Sequence, residues 1–217
     1  MPFGLGRKKE APPAPSTGDE AVDPRDHAPR AVAFHGLTDE WRLRGSMTIA
    51  GRLLDTLNKR EAIELADVTW APLDGSGAFE PAPGIRTVDP YDLIVVMASP
   101  ESLATLADDE RSAHRIHKIS FDVALEVPPL RVVGTVQLHP GSEPGGLLDR
   151  SSQMFVAVTN PSVWLVGEEL DLGADTDAVL VNRFYLRGVE QVDLATRERH
   201  ARLPGMPLGG TTWRERS

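Results

Sequence analysis

The sequence predicts a mainly β protein: two tandem small barrel-like or strongly bent β units of about five strands each, joined by a short helix, with disordered tails. Three observations predict it. Apolar and polar residues alternate with period two over several stretches between the ends of the chain. Four segments of the first half reappear, in the same order, in the second half. The 18 prolines and 19 glycines gather at the ends and between apolar runs, where they end strands and form turns.

Residues 1–29 open with a short basic, partly apolar stretch, Phe3, Leu5, Arg7, Lys8 and Lys9. A Pro-rich segment follows that is too poor in apolar residues to pack, so the region reads as a disordered N-terminal tail. Its first residues form a candidate docking peptide, with Phe3 and Leu5 as anchors and the basic cluster for steering or for anionic lipid. Residues 30–99 make the first β unit. Val32 and Phe34 precede a polar turn, after which Leu43, Gly45, Met47 and Ile49 alternate with Arg42, Arg44, Ser46 and Thr48. Further strands are predicted over Ile63 to Val68 and Leu93 to Met97, and the GxLLD segment suits one helical turn. Residues 100–115 read as the connecting helix, with Ser99 as N-cap and Pro100 at the first helical position.

Residues 116–195 form the second β unit. Ile119, Phe121, Val123, Leu125 and Val127 share one face of a strand. Pro128 and Pro129 interrupt it, and the alternation resumes over Val132 to Leu138 as the return strand of a hairpin. Strands over Phe155 to Thr159 and Val179 to Leu186 complete the unit, and residues 196–217 read as a C-terminal tail. Laid over each other, Arg42 to Ile49 (RLRGSMTI) meets Arg131 to Leu138 (RVVGTVQL), and GRLLD from Gly51 meets GGLLD from Gly145. IELAD from Ile63 meets VAVTN from Val156, and DLIVV from Asp92 meets DAVLV from Asp177. Four ordered matches indicate internal duplication.

A glycine-bearing strand, Asp55 and Asn58 in the following turn, and a strand ending at Asp67 resemble the Sm-like or SH3-like small β-barrels. That resemblance implies RNA bases held in the loop at Asp55 and Asn58. In the second unit Asp149 matches Asp55, while Ser152 stands where Asn58 does. The chain also resembles bacterial proteins with a G-RLxDxLN-type segment, here GRLLDTLN from Gly51 to Asn58, which implies no particular activity.

A net charge of -9 opposes a polyphosphate backbone, so nucleic acid is a poor expectation as partner. With no cysteine, disulfides, thiolate metal sites and cysteine nucleophiles are excluded. Met1 to Glu10 lack the apolar stretch of a secretory signal, and no run approaches the about 18 apolar residues of a membrane span. A soluble, cytoplasmic protein is expected. His114 and His117 form an HxxH pair without further ligands, so no metal and no cofactor are expected. No P-loop, GxGxxG, GxSxG or HExxH is present, and no catalytic residue stands out. Asp55 and Asp149 read as residues that cap a helical turn or fix a loop. Trp41, Trp70 and Trp164 lie in or beside predicted strands, as packing residues or a ligand platform.

These readings lead to a non-enzymatic binding or assembly module that makes protein-protein contacts, with a homo-oligomer allowed by the exposed strand edges. The alternatives are Sm-like RNA or nucleotide binding, and an enzyme with an unfamiliar site between the units. The candidate ligand-binding residues are Arg42, Arg44, Asp55, Asn58 and Arg131.

Overall fold

The strand-rich expectation holds in the computed structural model, which describes residues 29–103, 118–150 and 153–193. The first half holds β1 (Arg30–Leu37), β2 (Trp41–Ile49), α1 (Leu53–Asn58), β3 (Ile63–Glu64), β4 (Ala66–Pro72), β5 (Glu80–Pro81), β6 (Thr87–Val88) and β7 (Val95–Ala98). The second holds β8 (Ile119–Val127), β9 (Leu130–Leu138), a 3-10 turn over Pro144–Leu148, β10 (Phe155–Leu165), β11 (Glu168–Glu169), β12 (Ala178–Asn182) and β13 (Gly188–Gln191). The connecting helix expected over 100–115 lies mostly outside the described residues, as do the N-terminal docking peptide (Phe3, Leu5, Arg7, Lys8, Lys9), the His114 and His117 pair and the C-terminal tail.

The strands form a continuous antiparallel sheet of 11 strands, in the order β13-β8-β9-β10-β12-β7-β1-β2-β4-β5 with β11 on β10, and the sheet does not close into a barrel. Strands β3 and β6 pair separately. The halves are continuous because β7 pairs with β12 from Ala98 opposite Ala178 to Val95 opposite Val181. Each half contributes a run in which its last strand lies beside its first, β7 beside β1 and β13 beside β8.

The central pair explains how one sheet serves two cores. Along β7 and β12, Val96, Ala98, Ala178 and Leu180 join the core that holds Phe34, Leu53 and Leu57. The alternate residues Val95, Met97, Val179 and Val181 join the other core, with Val123, Leu125, Val132 and Val163. Successive side chains of a strand point to opposite faces, so both faces of this pair are covered. A strand buried on both faces needs a continuous apolar run. That accounts for the similarity of DLIVV and DAVLV, although β7 flanks β1 while β12 flanks β10.

A repeated bulge follows the sequence matches more closely. Between β2 and β4 the register shifts after Arg44, so Gly45 faces the two residues Asp67 and Val68. Between β9 and β10 it shifts after Thr159, so Gly134 faces Asn160 and Pro161. Asp67 and Asn160, equivalent in the sequence match, both adopt positive φ, 52° and 49°. Asp and Asn tolerate this left-handed conformation better than other non-glycine residues. A Cβ on Gly45 would lie 2.8 Å from the Ala66 carbonyl oxygen, and one on Gly134 would lie 2.7 Å from that of Thr159. Glycine is required where the bulged backbone comes this close.

Local sequence signals shift other boundaries. The strand expected over Ile63 to Val68 is split at Leu65, whose N–H donates to the Arg86 carbonyl. The last expected strand stops at Asn182 because the Asn182 carbonyl accepts from Tyr185 N and turns the chain. Asn182 is fully buried and joins the halves, its Nδ2 donating to the carbonyls of Pro90 (3.2 Å) and Leu93 (2.8 Å) while Oδ1 accepts from Phe184 N (3.0 Å). Beside it, buried Arg183 donates to the carbonyls of Leu147, Gln153, Gly146 and Asp149 and so gathers the 3-10 turn. Burial lowers the Arg183 pKa, and Asp149 nearby opposes that shift.

Candidate functional site

Strands β8, β9 and β10 turn one face to the core and the other to a groove of about 680 Å³. The pairing register aligns the outward residues in two rows. In one, Glu126 of β8 lies opposite Arg131 of β9, which lies opposite Trp164 of β10. In the other, Glu190 of β13 faces Ala124, which faces Val133, which faces Ser162. Such directly opposed side chains are about 4.5–5.5 Å apart at Cβ, close enough to form one surface. The Arg131 guanidinium reaches Glu126 at 3.2 Å and Glu190 at 3.9 Å.

Two turns wall the groove. The β8–β9 hairpin turns through Pro128 and Pro129, joined by a cis peptide bond, with Val127 paired to Leu130 on either side. The β10–β11 hairpin turns through Val166 and Gly167, because Leu165 pairs with Glu168. Both of its turn residues have positive φ, 50° and 89°. Two-residue hairpins with this geometry favour Asn-Gly, since a left-handed φ is disfavoured for branched side chains. Here the first position holds Val166, which is 91% exposed. A β-branched apolar residue therefore stands in solvent on a strained backbone at the rim of the groove.

Of the five candidate ligand-binding residues, only Arg131 lies in this groove. Arg42 and Arg44 come together elsewhere, on β2, with guanidinium carbons 5.3 Å and 4.0 Å from the centre of the Phe79 ring. Arg42 Nε also donates to the Pro72 carbonyl. His35 pairs with Arg44 across β1 and β2 and packs edge-on to Phe79. Its Nε2 is buried without a hydrogen-bond partner among the described residues. Burial, then the positive charges of Arg44 and Arg42, lower its pKa to about 4, against a smaller opposing effect of Asp171. The imidazole is neutral at pH 7.

Asp55 and Asn58 serve the scaffold. The Asp55 carboxylate receives two hydrogen bonds from Arg52, at 2.7 Å and 3.0 Å, in place of the backbone N–H groups expected from sequence. Asn58 bonds the backbone of Phe155 in both directions, accepting from its N–H at 2.8 Å and donating to its carbonyl at 3.4 Å. Trp41 and Trp70 stack at 4.6 Å, but Trp164 belongs to the groove, so the three tryptophans do not form one platform.

Sequence reasoning passed over Val166 and Phe79. A Val-Gly pair between two alternating segments was the available signal for the first. Phe79 sits in a glycine-bearing loop with no periodicity, and nothing in the sequence marks it. Among the described residues, no group of three or more His, Asp or Glu side chains is placed to hold a metal ion, and no helix is long and apolar enough to cross a membrane. No protein-family model, curated protein or solved structure matches the chain.

Proposed function

We propose that the chain is a non-enzymatic binding module that docks an extended apolar segment of a protein partner in the groove of β8, β9 and β10. Val166 carries this reading. Its left-handed conformation costs roughly 1–2 kcal/mol for a non-glycine residue, and its exposed side chain makes no compensating core contact. Strain held beside a groove is a signature of functional sites. The aromatic wall at Trp164, the apolar floor at Ala124 and Val133 and the polar groups of Arg131 and Ser162 suit a peptide. The repeated bulge and strand order support a duplicated β unit as the origin of the scaffold. In that view the groove lies on the second copy.

Panning a displayed library of random peptides against the full chain tests the docking. Enriched peptides are expected to contain apolar residues and to bind the Trp164→Ala variant at least about tenfold more weakly, since an interface aromatic is often worth more than about 1.4 kcal/mol. Equal binding to both proteins refutes the groove as their site.

A second reading, recognition of a phosphate-bearing ligand, is favoured by Arg42 and Arg44. Phe79 holds both guanidinium groups, and neither makes an ion pair among the described residues. Bound phosphate would raise the depressed His35 pKa. Titration of inorganic pyrophosphate against the His35 ring resonances checks it, and an unchanged His35 pKa removes this reading.

A further inference from the structure

The face that carries the groove has a counterpart in the first half of the sheet. Arg44 of β2 lies opposite His35 of β1 and Thr69 of β4, as Val133 of β9 lies opposite Ala124 of β8 and Ser162 of β10. Arg42 lies opposite Leu37 and Ala71, as Arg131 lies opposite Glu126 and Trp164. The bulges at Gly45 and Gly134 keep the two sets of strands in step. Strand pairing therefore matches the two faces residue by residue, with Arg131 in the place of Arg42.

On the first half this face is covered by the chain itself. Residues 73–79 run from the end of β4 to the start of β5 and fold back over it. Leu73 is buried in the same core as Leu37. The Phe79 ring lies over Arg44 at 4.0 Å and Arg42 at 5.3 Å, and meets the His35 ring edge-on at 6.3 Å. The corresponding connection of the second half, from β10 to β11, is Val166 and Gly167 alone, because Leu165 already pairs with Glu168. Two residues suffice only to turn the chain. The places of His35 and Arg44 are taken by the shorter Ala124 and Val133, which lowers the floor beside the one guanidinium retained. Glu126 at 3.2 Å and Glu190 at 3.9 Å hold that guanidinium. Carboxylates bond the edge of its plane, whereas aromatic rings stack on its face. Trp164, in the place of the small Ala71, adds a second flat surface.

Resting on the docking reading of the groove, we propose that its occupant is an aromatic side chain on an extended segment of a protein partner, seated against Arg131 and Trp164 as Phe79 is seated over Arg42. A partner then supplies in trans what the connection from β4 to β5 supplies in cis. An aliphatic side chain of equal size has no π face for a guanidinium to attract and binds more weakly.

The probes are peptides panned on the full chain whose binding is lost on the Trp164→Ala variant. They are expected to carry Phe, Tyr or Trp. Exchanging that residue for cyclohexylalanine, which keeps the size and removes the π system, should weaken binding to the full chain about three- to fivefold. On the Arg131→Met variant, which keeps an apolar stem without the guanidinium, the same exchange should cost less than about 1.5-fold. Circular dichroism checks the fold of that variant. Should it not fold, Arg131→Lys takes its place, retaining the charge between Glu126 and Glu190 but not the planar group, with an expected cost of about twofold or less. Trp164-dependent peptides that lack an aromatic residue, or that tolerate cyclohexylalanine, overturn the aromatic occupant and leave the docking groove standing. An equal loss on the full chain and the Arg131 variant overturns the seat on Arg131. If no panned peptide depends on Trp164, the groove is not a docking site and both readings fall.

Discussion

Replacing Asn182 by Leu, a side chain of similar size, removes the hydrogen bonds by which one fully buried amide spans the two halves. The change orphans the Leu93 carbonyl and the N–H of Phe184, and leaves the Pro90 carbonyl only its bond from Leu93 N–H. Each buried polar group left without a partner costs about 1–3 kcal/mol, so the two together cost about 2–6 kcal/mol. Burying the added apolar surface returns about 1–2 kcal/mol. The net expectation is a loss of about 1–4 kcal/mol, measured by urea denaturation followed by circular dichroism, with a fall in Tm of about 2–4 °C per kcal/mol. Asn182→Asp separates hydrogen bonding from shape. The introduced carboxyl can still accept from Phe184 N but, once ionised, points negative charge at two carbonyls. Its folded-state pKa is therefore raised above the unfolded value of about 3.9. Its stabilising bonds are present below that value and are lost as pH rises through the raised pKa. A loss of under about 1 kcal/mol for Asn182→Leu, or an Asn182→Asp variant whose deficit against the unsubstituted chain does not grow with pH, refutes the reasoning.

Val166→Asn should stabilise the chain by about 0.5–1.5 kcal/mol by fitting the turn geometry, and should weaken binding of panned peptides, as read by thermal unfolding and fluorescence titration. Gly134→Ala should destabilise it by about 1–3 kcal/mol, because the new Cβ meets the Val158 Cγ1 at 2.6 Å as well as the Thr159 carbonyl. A neutral effect on the urea midpoint would contradict the close approach at the bulge. His35 has a folded pKa depressed from 6.5 to about 4, so its contribution to stability is present above pH 6.5 and is lost as pH falls through about 4. His35→Phe should flatten the urea midpoint over that window, with Arg42, Arg44 and Asp171 left in place.

Alternation made the long strands legible, since β1, β2, β8 and β9 each keep one face in a core. The match of Asp67 to Asn160 was also informative, because a bulge demands a special backbone conformation and so restricts residue type. Continuity of the sheet was not legible. DLIVV and DAVLV read as parts of two units, whereas their apolar runs reflect a shared position with both faces buried. Charged residues misled for a different reason. Asp55 is fixed by an ion pair with Arg52, and no pattern separates such a residue from a ligand-binding one. Arg131 lies in an ion cluster on the groove, apart from Arg42 and Asn58.

The central ladder of β7 and β12 also decides how this chain can be divided. Phe155 and Met154 complete the core of the first half, and Leu37 and Ile94 complete that of the second. A chain divided between Leu103 and Lys118 would consist of two covalently separate fragments that still need each other's side chains, and they should remain associated as a heterodimer. Expressed apart, neither fragment has a full interior; mixed, they should rebuild the fold, so a break between these two residues would divide the protein into a complementation pair.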